Sequence, residues 1–246
     1  MATPETEGGA GVGAARGHGE SRRTFDRSLV MLKRRLVQEA TSAVNMLEAS
    51  LEALWKLDKE AAQGVRRRDD MIDREEVAIE EECLKALTLQ QPVARDLRIL
   101  TFVLKVNSDI ERVADHAKSI AKVTLALESV RPPRWPTSLV ELGQRVPMMC
   151  HALLRSVLDE DESGARLVRD EDKTIDALDR RLFDEVVDAI RKDQVTPADG
   201  LLIYRTGREL ERVGDLMTSI AEDVIFLATG RIVRHAKKLG QDGVGA

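Results

Sequence analysis

Asp109-Ile110-Glu111-Arg112-Val113-Ala114-Asp115 recurs 100 residues later as Glu209-Leu210-Glu211-Arg212-Val213-Gly214-Asp215, and the likeness continues through Ser119-Ile120-Ala121 and Ser219-Ile220-Ala221. In each copy a Glu and an Asp stand four residues apart, which on a helix stacks them on one face with Cβ atoms roughly 6 Å apart. Upstream of each copy lies a second pair at the same spacing, Asp69 and Asp73 in the first half and Asp172 and Asp176 in the second. If each half folds back as an antiparallel hairpin, reflection across Pro92 sets Asp69 against Asp115 and Asp73 against Glu111. Reflection between Asp193 and Gln194 sets Asp172 against Asp215 and Asp176 against Glu211. Both centres read as turns. Pro92 follows two glutamines, and Thr196-Pro197-Ala198-Asp199 has an N-cap, a proline at the first helical position and an early acid.

The facing arms change character together. Near the bend they are apolar, with Leu84 and Leu87 against Leu97 and Leu100, and Phe183 and Val186 against Leu201 and Tyr204. Away from it they turn acidic, and Glu76 and Asp179 join the pairs as outer members. Two carboxylates roughly 6 Å apart repel by roughly 3 kcal/mol at an effective dielectric of about 20, and by much less when fully solvated. A wet acidic face would absorb that repulsion. The same arrangement in both halves favours a hard divalent or trivalent cation held by oxygen ligands, which removes the repulsion and joins two helices. The candidate ligands are Asp69, Asp73, Glu76, Glu111 and Asp115 in one centre, and Asp172, Asp176, Asp179, Glu211 and Asp215 in the other. All-oxygen sites admit Mg, Mn, Ca or Fe(III), so the donor types leave the metal open.

The 246-residue chain is 33% charged, 43% hydrophobic and only 3% aromatic, a helical profile. With the repeat, this gives an all-α fold of two tandem three-helix bundles, six helices related by a pseudo-twofold repeat. A net charge of -5 and a pI near 5.6 argue against a nucleic-acid binder, which needs a basic stripe. The longest apolar run, Ile99 to Val106, is broken by Lys105, and the first twenty residues hold no apolar signal core. A cytoplasmic protein is expected. Cys83 and Cys150 sit at apolar helical positions without motif spacing, and read as reduced core residues.

Residues Met1 to Thr24 are rich in Gly, Ala and charge and are expected to be a disordered extension. The first bundle, 25–128, opens with a helix from Phe25 to Leu57 whose seam runs Leu29, Leu32, Leu36, Ala40, Ala43 and on to Leu54. A connection over Asp58 to Arg68 leads to helices over Asp69 to Gln90 and Val93 to Glu128, the second bearing an Ile99, Val103, Val106, Ile110 stripe toward the first helix. Three prolines between Ser129 and Thr137 exclude a helix and mark a linker. In the second bundle, 138–230, a helix over Ser138 to Glu160 is expected to kink at Pro147. A turn at Ser163-Gly164 precedes helices over Asp172 to Lys192 and Pro197 to Thr229, the last closed by Gly230. The tail, 231–246, is basic and then Gly-rich. Trp55 reads as core and Trp135 as an anchor for the linker.

Enzymatic readings find little purchase. Di-iron carboxylate proteins need Glu-x-x-His, and none of His18, His116, His151 or His235 follows a Glu by three residues. No Gly-rich phosphate loop, nucleophile motif or zinc spacing is present. His116 reads as an exposed or flanking residue rather than a ligand. The remaining rival to a metal protein is a helical scaffold or chaperone-like protein with hydrated acidic faces.

Gln90-Gln91-Pro92-Val93-Ala94-Arg95-Asp96-Leu97-Arg98, followed by the first copy of the repeat and His116, closely resembles PhoU, the phosphate-signalling regulators of bacteria, and the second copy with Leu227-Ala228-Thr229-Gly230 resembles the second PhoU repeat. The likeness spans about Phe25 to Gly230; Asp179 stands where the first half has Glu76, and the QQPVARDLR run has no second copy. The resemblance implies a cytoplasmic negative regulator of the phosphate-starvation response, without turnover of its own. Its implied partners are the ATPase subunit of the phosphate ABC transporter and the sensor histidine kinase, with membrane contact only through them, and a homodimer is expected. The family's acidic motifs imply bound iron, zinc, manganese or magnesium at Glu111 and Asp115 and at Glu211 and Asp215.

Overall fold

Asp58 decides where the first hairpin begins. Its carboxylate accepts from the backbone N–H of Ala61 at 2.9 Å, a helix N-cap. The helix therefore starts at Lys59, and the stretch expected as a connection up to Arg68 is helical, burying Ala62 and Val65. The turn before it is only Leu57 and Asp58, with Leu57 at φ 52°. A helix tolerates Gly64 at a cost of about 1 kcal/mol, which the apolar burial on either side offsets.

The computed structural model describes residues 11–129 and 132–233, with no description of the side chains of 11–21, 23 and 24. Among the described residues there is no strand, and seven helices follow one another: α1 (Gly11–Lys56), α2 (Lys59–Gln90), α3 (Arg95–Ala126), α4 (Thr137–Asp159), α5 (Glu162–Asp170), α6 (Asp172–Arg191) and α7 (Pro197–Thr229). The short α5 replaces the turn expected at Ser163-Gly164. Asp161 caps it by accepting from Ser163 N–H at 2.9 Å, and the chain breaks helical register only at Glu171 before resuming as α6. Together α5 and α6 make one interrupted arm, so the six-arm plan holds. Helix α1 reaches back to Gly11, into the extension expected to be disordered. No proline stands between Gly11 and Phe25 to stop it, and a helix already nucleated on the packed Phe25 and Leu29 extends without a new nucleation cost. Residues 1–10 and 234–246 lie outside the described residues, and with them most of the basic tail. Helix α3 starts two residues later than expected, because Val93 and Ala94 complete the turn, with Gln91 and Ala94 at positive φ.

α1, α2 and α3 pack on one another, as do α4, α5, α6 and α7, and the halves join where α3 meets α7 and α1 meets α4. One hydrophobic core runs through both. The seams read from the sequence are buried: Leu29, Leu32, Leu36, Leu47, Leu51 and Leu54 on α1, and Leu139, Leu142, Val146, Met149, Leu153 and Val157 on α4. Each such residue contributes roughly 1.5–3 kcal/mol through burial. Pro147 is buried inside α4, whose helix runs through it to Asp159. Cys83 and Cys150 are buried free thiols.

Three contacts fix the hairpin register. Asn107 donates to the Glu76 carbonyl at 2.8 Å, Arg208 donates to Asp179 at 2.9 Å, and the Phe183 and Tyr204 rings meet edge-on at 5.5 Å. In the second half the turn is closed as expected, Thr196 accepting from Asp199 N–H at 3.1 Å and Gly230 ending α7 at φ 73°. The linker is tied down as well. Buried Asp199 accepts from Glu128 N–H at 3.1 Å and Ser129 Oγ at 2.7 Å, and Trp135 sits edge-on to Trp55 at 5.3 Å. No helix among the described residues is long and apolar enough to cross a membrane.

Candidate metal centres

The hairpins bring the predicted carboxylates together, each cluster on two facing helices. In the first, Glu111 is pushed up to about 7 by burial, then by the negative charges of Asp115, Glu76 and Asp73. Those residues are therefore its electrostatic neighbours, as the reflection across Pro92 requires. Burial and then Asp69 raise Asp73, with Asp115 adding to the effect, and burial and then Glu80 raise Glu76. In the second cluster burial and then Asp215 raise Glu211, while burial and then Asp172 and Asp176 raise Asp215. All these shifts have one sign. The folded chain holds negative charges closer together, and drier, than water would.

Burial is graded across each face. Asp73, Asp115 and Asp215 are exposed, Glu76, Glu111, Asp172, Asp176 and Glu211 are half-buried, and Asp69 and Asp179 are buried. The two buried carboxylates each have a cation partner, of which Lys118 lies off the reflected faces. Lys118 is hydrogen-bonded to Asp69 and lies 3.9 Å from Asp115. Arg208 bridges Asp179 at 2.9 Å and Glu211 at 3.2 Å. The repeat does not duplicate them, since Thr218 stands where the first half has Lys118 and Ser108 where the second has Arg208. Thr218 instead donates to Asp172 at 3.2 Å. Each cluster is thus partly neutralised at a different end.

Two further acids went unread. Glu39 of α1 is 4% exposed, and neither carboxylate oxygen has a hydrogen-bond partner. Burial, then Glu75 and Glu76, push its carboxyl up to about 8. The sequence signal was present: Glu39 falls three residues after Leu36 and four before Ala43, on the flank of the buried seam. Glu209, the copy of Asp109, points instead toward α3, where it accepts from Ser119 Oγ at 2.6 Å and pairs with His116 Nδ1 at 2.7 Å. The reading of His116 as an exposed or flanking residue is corrected: it is largely covered and belongs to the seam between the halves.

The donor set fits a hard cation in kind, all carboxylate with buried oxygens left over at Glu39, Asp179 Oδ1 and Glu211 Oε2. As the side chains stand, no group of three or more His, Cys, Asp or Glu among the described residues is gathered closely enough to hold a metal ion. Convergence would take rotation of Glu and Asp side chains across helices packed roughly 8–10 Å apart.

This architecture defines a class: an all-α protein of two repeated hairpins, each presenting paired carboxylates from neighbouring helices. The family model of the PhoU domain matches it twice, over residues 36–124 and 139–224. The chain belongs to the PhoU family. It is 35% identical over 210 residues to a phosphate-specific transport system accessory protein PhoU homolog of Xylella fastidiosa, covering 85% of this chain and 86% of that protein. The corresponding homolog of Pseudomonas aeruginosa is 35% identical over 187 residues, covering 76% of this chain and 77% of its own. The crystal structure of the phosphate transport system regulatory protein PhoU from Streptococcus pneumoniae superposes with a TM-score of 0.79 at 29% identity, over 85% of this chain and 99% of that one. PhoU from Pseudomonas aeruginosa gives a TM-score of 0.71 at 30% identity, over 87% of this chain and 99% of that one.

Proposed function

We propose that this chain is a metal-binding adaptor that represses the phosphate-starvation response, working between the ATPase subunit of a phosphate ABC transporter and its sensor histidine kinase in the cytoplasm. Membership of the PhoU family supports the phosphate role, because curated relatives are phosphate-specific transport system accessory proteins. The single observation that carries the metal role is the mirrored set of crowded carboxylates, with Glu111 pushed up to about 7 by burial and like charge. A cation at each hairpin relieves that repulsion and fixes the acidic face that a partner reads. Mg, Mn, Fe and Zn are the candidate ions. The adaptor has no turnover of its own and acts as a homodimer, touching the membrane only through its partners.

Deleting the gene is expected to switch phosphate-starvation reporters on in phosphate-replete medium; repression that survives deletion would overturn the regulatory reading. Replacing Glu111 by Gln and Asp115 by Asn together is expected to cut the metal content of the purified chain by about half, by loss of one of two centres. Elemental analysis unchanged by the double substitution rejects these ligands. A melt insensitive to both chelator and added Mn²⁺ would favour the rival scaffold with hydrated acidic faces.

A further inference from the structure

Glu39 lies on α1, outside the paired motifs on α2 and α3. Its carboxyl group is buried at 4% exposure and leaves both oxygens without a partner. Protonation would not satisfy it, since a carboxylic acid still has a hydrogen to donate and oxygens to present. Its electrostatic neighbours are Glu75, Glu76 and Glu111, with Arg35 the cation among them. Arg35 is committed elsewhere, donating to Glu75 at 2.8 Å and Glu82 at 2.5 Å. A second buried oxygen without a partner lies on α3. Asn107 gives its Nδ2–H to the Glu76 carbonyl, and its Oδ1 has no partner. Asn107, Glu111 and Asp115 follow at four-residue steps, so they share one face of α3.

We infer that Glu39 supplies a ligand from a third helix to the first centre, with Asn107, bonded to the Glu76 carbonyl, offering a further oxygen, making it a deep all-oxygen site for a hard divalent cation next to Glu76 and Glu111. The inference rests on the metal reading above and deepens it for one half only. The second half lacks the asparagine, because the repeat places Gly207 where Asn107 stands, and Arg208 fills the inner end of its cluster. The two centres therefore differ: in the first, Lys118 sits at the outer end on Asp69 and leaves the inner end to the cation, which it takes more tightly, whereas in the second Arg208 occupies the inner end itself.

The test is a Mn²⁺ titration of the full chain by calorimetry, with free Mn²⁺ counted by electron paramagnetic resonance, alongside melting temperatures with and without the ion. Variants are Glu39→Gln, Glu39→Met as a second replacement of similar size, the Glu111→Gln/Asp115→Asn double substitution, and Glu211→Gln/Asp215→Asn to isolate the first centre. In that isolated background, Glu39→Gln is expected to weaken Mn²⁺ binding about tenfold or more. Without Mn²⁺ its melting temperature should equal or exceed that of the parent, because a partnerless carboxyl has been removed; a purely structural glutamate would lower it. Wild-type affinity in Glu39→Gln or Glu39→Met, in a chain whose first centre is lost on changing Glu111 and Asp115, overturns this inference and leaves the metal reading standing. A chain that binds no Mn²⁺ at either centre overturns both.

Discussion

Glu209→Ala is expected to lower the stability of the fold by about 3 kcal/mol near neutral pH, the range found when one partner of a buried pair is removed. Glu209 is 7% exposed and joins the halves across the seam of α3 and α7. Its carboxylate pairs with His116 Nδ1 at 2.7 Å and accepts from Ser119 Oγ at 2.6 Å and Arg205 Nε at 3.4 Å. Burial alone would raise its pKa, but the hydrogen bonds from His116 and Ser119 and the charge of His116 outweigh burial and bring it from 4.5 down to about 2. A carboxyl depressed in the folded state stabilises above its unfolded value and loses that contribution as pH falls through its folded value. The stability gap between wild type and Glu209→Ala should therefore be full above about pH 5 and narrow steadily toward pH 2. Urea denaturation at a series of pH values measures it. A gap that stays constant down to pH 2, or no gap at pH 7, would show that the seam does not depend on this carboxylate. Glu209→Gln should fall between the two, since an amide keeps one acceptor but gives up the charge.

The second large effect is expected at Gly207. Gly200, Gly207 and Gly214 recur at seven-residue steps along α7 and face Ile190, Leu182 and Ile175 of α6. A Cβ on Gly200 would lie 2.7 Å from Ile190 Cδ1, one on Gly214 would lie 3.1 Å from Ile175 Cγ2, and one on Gly207 would overlap Leu182 outright. The absence of side chains is what lets these two helices approach. Gly207→Val puts a branched side chain into that contact and should destabilise by about 3 kcal/mol, a fall of roughly 10 °C in melting temperature for a chain of this size. Gly64→Ala is the control. There the nearest atom to a new Cβ is the Arg67 guanidinium at 4.0 Å, so only helix propensity changes and stability should rise by about 0.5–1 kcal/mol. Equal behaviour of the two glycines in thermal melts would sink the close-approach account.

These two sites also show why parts of the molecule were harder to read than others. The hairpin register was legible because equal spacings in two helices must reflect about a turn, and Arg208 on Asp179 and Tyr204 against Phe183 lie where that reflection puts them. The capped end at Thr196 and the stop at Gly230 were legible because capping is chemistry local to three or four residues. The start of α2 was misplaced because Gly64 and three consecutive arginines look like a connection, while Asp58, the residue that caps the helix, lies outside the apolar pattern. Helix α5 was missed for a similar reason, with Ser163-Gly164 inside its first turn rather than between elements.

By itself the sequence determined the all-α class, the doubled hairpin, the buried seams and the crowding of ten carboxylates into two faces, because each of these follows from periodicity along one helix or from reflection across one turn. Only the tertiary structure decided what each charge meets. Lys118 reaches Asp69, Glu209 leaves its own motif to hold His116, and Glu39 comes in from a third helix with nothing to bond. Those partners are separated by 49 and 93 residues along the chain. No spacing rule relates them, and their positions are set by how the helices pack around a common core.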